Sequence, residues 1–222
     1  MSYGIQQVPL QVQVGDPTVH QPDNNITNLL GGQAGEAVIS RLHGEHFNQT
    51  VRGNVFIGST SKDGVAVPIY NATGATFALW NPAGSGKHCV PISIAFGMGT
   101  VGTKAVSGLG LSYKTGCGGA IGTGAPVSAF THVAPVNALL GSGRNSSMLF
   151  APAAATIVAG ALLLNFGLSV ETATAGNGLW VMQYNFKGSL IVTPGSLIHV
   201  TSAPIACGST YVITLLWEEV PD

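Results

Sequence analysis

The feature that most constrains this chain is how often glycine and proline interrupt it. The 222 residues include 31 glycines and 12 prolines. Short apolar runs therefore begin and end at turns, a pattern that favours many strands over a helical bundle. The clearest run is the last, TYVITLLWEEV at 210–220, in which Tyr211, Ile213, Leu215 and Trp217 share one face. Strands are expected near 47–58, 65–70, 75–81, 90–100, 106–113, 127–133, 157–171, 179–185, 188–192, 197–201 and 209–219. One short helix is expected around 34–42, and an Ala-rich piece near 152–156 is ambiguous. Strand material at such close spacing points to an all-β sandwich or barrel.

Charge narrows the reading further. Only 8 % of the residues are charged and the net charge is −1, against about 25 % charged in ordinary soluble domains. A free monomer needs a charged surface to stay dispersed, so a homo-oligomer or a large partner surface is expected. No basic patch is present to serve nucleic acid. Three cysteines, Cys89, Cys117 and Cys207, form no C-x-x-C pair. They fit buried thiols in a reducing compartment better than a disulfide framework or a zinc site. The N-terminal MSYGIQQVPLQVQVGDP has no basic region and no long apolar run, so no signal peptide is expected. The charge-free run LFAPAAATIVAGALLLNFGL is long enough to span a bilayer. Pro152 and Asn165 interrupt it and no aromatic or basic belt flanks it, so strands split by glycines are expected there and no membrane span.

The most conspicuous motif is GSGK at 84–87, set within ALWNPAGSGKHCVP. A phosphate-binding loop needs a glycine at Asn81 and a hydroxyl at His88, and must open a helix. Both positions fail, and HCVPISIAF reads as a strand. The expectation is a strand, a hairpin turn and another strand. Lys87 is then a solvated turn residue whose loss shifts stability by within about half a kcal/mol. In HGEH, His43 and His46 lie three apart beside Gly44, not at the four-residue spacing of a helical metal pair. Glu218 and Glu219 are adjacent on a strand and point to opposite faces, so they cannot act as a paired acid and base. No G-x-S-x-G occurs. No catalytic, cofactor-binding or metal residue is assigned, no cofactor is expected, and the chain is expected not to be an enzyme.

Residues 1–45 are polar, rich in Gln, Asn, Gly and Pro, and are taken as an N-terminal arm with the short helix; residues 46–222 form the β domain. Within the arm, VPLQVQV places Val8, Leu10, Val12 and Val14 on one face with no obvious local partner. These four are the candidate inter-subunit contact, adding a strand to a neighbour's sheet edge. The alternative is an integral first strand of the domain.

Two segments carry a family resemblance: GATFALWNPAGSGKHCVPISIAFGMGT, and SLIVTPGSLIHVTSAPIACGSTYVITLLWEEVP. Together they resemble the head decoration (cement) proteins of tailed bacteriophages, in pattern over roughly residues 75–222. The resemblance implies a jelly-roll-like β-sandwich, commonly trimeric, seated on the capsid surface of the virion and contacting the phage major capsid protein. It implies synthesis in a host bacterial cytoplasm and no catalytic residues. The alternative role is a tail or fibre module that binds a host-surface glycan, which exposed loop aromatics would favour.

Overall fold

The computed structural model describes residues 11–14, 25–28, 45–69, 74–100, 108–116, 132–157, 161–166, 181–203 and 209–222. The expected helix at 34–42 and nearly all of the expected strand at 127–133 fall outside them. The chain divides into two compact units, Met1–Val51 and Arg52–Asp222.

In the first unit, β1 (Gln11–Val14) pairs antiparallel with β2 (Asn25–Asn28), with Val12 opposite Thr27 and Val14 opposite Asn25. The arm strand thus has a partner within its own chain, which the polar sequence NITN did not advertise. A short helix α1 (Phe47–Val51) closes the unit. Residues 47–51 were expected to be strand. Instead the His46 carbonyl accepts both the Thr50 amide and the Thr50 hydroxyl at 2.9 Å, which closes a helical turn.

The second unit is a β-sandwich. Its strands are β3 (Val55–Ser59), β4 (Val65–Ala66), β5 (Gly74–Asn81), β6 (Lys87–Thr100), β7 (Gly108–Lys114), β8 (Val136–Asn137), β9 (Leu149–Ile157), β10 (Ala161–Asn165), β11 (Val181–Asn185), β12 (Ser196–Ala203) and β13 (Thr210–Pro221). One sheet runs β10-β7-β12-β5-β9 and the other β11-β6-β13-β3-β8, with β4 also on β13. Every ladder is antiparallel. Taking β3, β5, β6, β7, β10, β11, β12 and β13 as eight successive strands, the first pairs with the last, the second with the seventh, the third with the sixth and the fourth with the fifth. That is a long hairpin rolled into two sheets, the jelly-roll topology. The strands β8 and β9 are additions on one lateral edge.

The expected hairpin at 82–86 is therefore corrected. Strands β5 and β6 belong to different sheets, and the turn between them crosses from one layer to the other. The Ala-rich piece at 152–156 is strand, within β9 against β5. The expected strand at 188–192 contributes only the bridge between Val192 and Cys89.

The core lies between the layers. Along β13 burial alternates strictly, with Tyr211, Ile213, Leu215, Trp217 and Glu219 inward. Phe150 stacks on Trp217 with ring centroids 6.2 Å apart and meets Phe77 edge-on at 5.3 Å. Gly58 makes room for that ring: a Cβ there would lie 2.5 Å from Phe150 Cε2. Pro91 sits in β6, a central strand, where its missing N–H would ordinarily break a ladder. A register shift on the β13 side, where Leu216 pairs Ser93 and Trp217 pairs Pro91, accommodates it. On the β11 side the ladder has already ended at Ser93.

Candidate functional site

The alternation of β13 carries Glu219 into the interior directly after Trp217, leaving the residue 2 % exposed. A carboxylate removed from water must be fully hydrogen-bonded or paired. Glu219 is. Lys87 Nζ donates to Oε2 at 2.9 Å, the Ser146 hydroxyl donates to Oε1, and the Ser147 amide lies 3.1 Å from both oxygens. Lys87 reaches it because Pro221 pairs with Lys87 and Glu219 with Cys89 across the β13–β6 ladder. The turn before Lys87 is held by Asn81, whose amide donates to the carbonyls of Lys87 and Val192 at 2.8 Å.

This corrects the expectation for Lys87: it is the counter-charge of a buried carboxylate and not a solvated turn residue. It is likewise not a phosphate ligand, because its ammonium is engaged and the chain continues into a strand. The grouping of a serine hydroxyl, a carboxylate and an ammonium looks catalytic only in outline. Both carboxylate oxygens are occupied, and the side chain has no opening to a substrate. The arrangement clamps the C-terminal strand to the 82–86 and 146–148 loops. Beside it Cys89 is buried, and burial first, then the Glu219 charge, pushes its thiol well above the usual range. His88 Nε2 pairs with Asp222 Oδ1 at 3.0 Å at the rim.

A second titratable group lies in the five-stranded sheet. His199 on β12 is 2 % exposed, and neither ring nitrogen has a hydrogen-bond partner. Burial, then the Lys114 charge, lowers its pKa to about 4, so the ring is neutral. It shares a cross-strand row with Ser112 and Ala78, next to the buried hydroxyl pair of Ser112 and Thr201 at 2.8 Å. Among the described residues no three His, Cys, Asp or Glu side chains gather as metal ligands, and no helix is long and apolar enough to cross a membrane.

Sequence reasoning passed over the apolar surface. Residues 132–144 run along one lateral edge, where Val133 bridges to Phe150 of β9 and β8 pairs with β3. Val133, Val136, Leu139 and Leu140 are all exposed there. The Ser142 amide donates to the Leu139 carbonyl at 2.9 Å, and Gly141 has φ +86°. That is the positive φ required at the third position of a type II turn. At the other lateral edge a groove of about 220 Å³ opens between β7, β10 and the loop before β12. Tyr113, Leu163, Leu190, Ile191 and Leu197 line it.

Of the four arm residues singled out in the sequence, Val8 and Leu10 lie outside the described residues, and Val12 and Val14 lie in β1. These observations define a jelly-roll β-sandwich with a buried ionic clamp and two apolar lateral edges. Compared with protein-family models, curated proteins and solved structures, the chain matches none.

Proposed function

We propose that this chain is a non-enzymatic virion structural protein that decorates or cements a bacteriophage capsid by contacting major capsid subunits, acting as a homo-oligomer, a trimer. Jelly rolls serve in virus shells and in lectins alike, so the fold alone does not choose between them. The observation that carries the reading is where the polar and apolar groups lie. The charged GSGK motif is turned inward to neutralise Glu219, while large apolar side chains stand exposed along both lateral edges. Large apolar side chains exposed in a charge-poor chain favour contact with other protein surfaces. The resemblance over residues 75–222 supports the same role, and Val8, Leu10, Val12 and Val14 of the arm are proposed to add to that contact. The glycan-binding alternative has less support, because Trp80 and Trp217 are buried in strands.

Co-sedimentation with empty phage heads tests the proposal, with a glycan array run in parallel. Saturable binding to heads at a fixed ratio to capsid subunits is expected. Failure to bind heads together with selective glycan retention would overturn the proposal in favour of the lectin role.

A further inference from the structure

The exposed turn at 139–142 is more firmly built than a solvent loop requires. Asn137, itself buried, donates from Nδ2 to the Gly53 carbonyl at 2.9 Å and accepts the Leu139 amide at 2.9 Å. The Ala138 amide bonds the Val55 carbonyl at 2.8 Å, and Arg144 bonds the Arg52 carbonyl and Asn54 Oδ1. At the tip of this braced turn stands Leu140, 80 % exposed. The same turn occurs a second time in the molecule. Residues 81–87 and 137–144 both begin with a buried Asn and carry a glycine at positive φ followed by a serine. In both, that serine's hydroxyl accepts the amide of the following Lys or Arg. The position equivalent to Leu140 in the first turn is Ala83. The turn geometry therefore does not demand leucine at its tip.

The groove at the far edge offers what such a tip lacks. About 220 Å³ lined mainly by aliphatic side chains and Tyr113, with Thr115, Thr193 and Ser196 beside them, is ample for an aliphatic side chain, given that an apolar cavity of about 150 Å³ admits benzene. Ile191 on its rim is 54 % exposed. The two features cannot meet within one chain. The tip adjoins β8 and β9, and the groove lies at β7 and β10, the opposite end of the β10-β7-β12-β5-β9 sheet.

We infer that the Leu139–Ser142 turn of one copy seats Leu140 in the Tyr113–Leu163–Ile191 groove of the next copy, so that the chain assembles head to tail. Neither surface carries a charge that must be desolvated, and the braced turn loses little conformational freedom on docking. A contact between unlike surfaces closes into a ring when the rotation allows, and a trimer is such a ring; a symmetric dimer is not. The inference deepens the oligomer of the proposed function and rests on that part of it alone.

The test uses the full chain and four variants, Leu140→Lys, Ile191→Glu, the double variant, and Leu140→Ser as a milder control. Sedimentation velocity at matched concentrations gives the size of each, and thermal melts confirm that each is folded. Each single variant is expected to weaken association by about tenfold or more. The double variant, which places Lys against Glu at every contact, is expected to regain assembly. Single variants that keep the size of the parent, a double variant no better than the singles, or a parent that stays monomeric would each overturn the inference. Head binding by a monomeric parent would leave the decoration role standing while removing this contact. Assembly without head binding would do the reverse.

Discussion

The segments 81–87 and 137–144 share one tight turn, Pro82–Ser85 and Leu139–Ser142, each closed by the serine amide with a glycine at positive φ, and part ways in what they do with it. In the first, N-P-A-G-S-G-K, the tip is Ala83 and the cation turns inward to a carboxylate whose side chain is 1 % exposed. In the second, N-A-L-L-G-S-G-R, the tip is Leu140 and the cation braces the turn from outside through the Arg52 carbonyl and Asn54. The motif that looks like chemistry is structural, and the one that looks like a plain loop presents an apolar side chain to solvent. In a chain with so few charges, a lysine beside a glycine-rich turn is better explained by a buried acid than by a ligand.

The cations should separate the turns most strongly. Lys87→Ala strands a buried carboxylate and is expected to cost about 2–3 kcal/mol by chemical denaturation, below the full loss for a wholly buried pair because Lys87 is partly exposed. Arg144→Ala removes exposed hydrogen bonds and is expected to cost about 1 kcal/mol. Equal losses would erase the distinction drawn between them. The glycines should unite the turns. Gly84 and Gly141 have φ +80° and +86°, and a Cβ at either meets nothing within 4 Å. Replacement of either by alanine is thus expected to cost about 1–2 kcal/mol from backbone strain alone, and by the same amount at both. A clear difference would show that the turns are not equivalent. The smallest effect on stability belongs to the tips. Ala83→Leu and Leu140→Ala should each shift the unfolding free energy by within about half a kcal/mol, as surface changes usually do. A larger loss for Leu140→Ala would mean that the leucine packs within its own chain.

The strands of the sandwich were legible because β13 and most of β6 alternate, and because these strands and the continuously buried β5 are bounded by turn residues; Tyr211, Ile213, Leu215 and Trp217 fall inward as their period requires. The layer change after Asn81 was not legible, since a tight Gly-Ser turn suits a hairpin and an inter-sheet connection equally well. Glu219 was correctly placed on the face opposite to Glu218, but its burial was hidden. Only the β13–β6 register, by putting Pro221 opposite Lys87, reveals the counter-charge. His199 and Ser112 are polar residues that nothing in the sequence marks as interior, yet both are buried, a fact of tertiary covering that no local period reports. The apolar tip left a trace that could have been found. G-S-G followed by Lys or Arg occurs at both 84–87 and 141–144, with an Asn three residues before it in the first and four in the second, and the residue before the first glycine is Ala83 in one and Leu140 in the other.

One paired measurement tests the central claim, that the GSGK turn holds the fold together and the ALLGSG turn holds copies together. Sedimentation velocity and a thermal melt are recorded on the parent, Lys87→Ala and Leu140→Ala, at one concentration where the parent is assembled. A crossed result is predicted: Lys87→Ala lowers the melting temperature and keeps the assembled mass, while Leu140→Ala keeps the melting temperature of the fold and sediments toward the 22.6 kDa monomer. The opposite pattern, with Lys87→Ala dissociating the assembly and Leu140→Ala destabilising the fold, would contradict it.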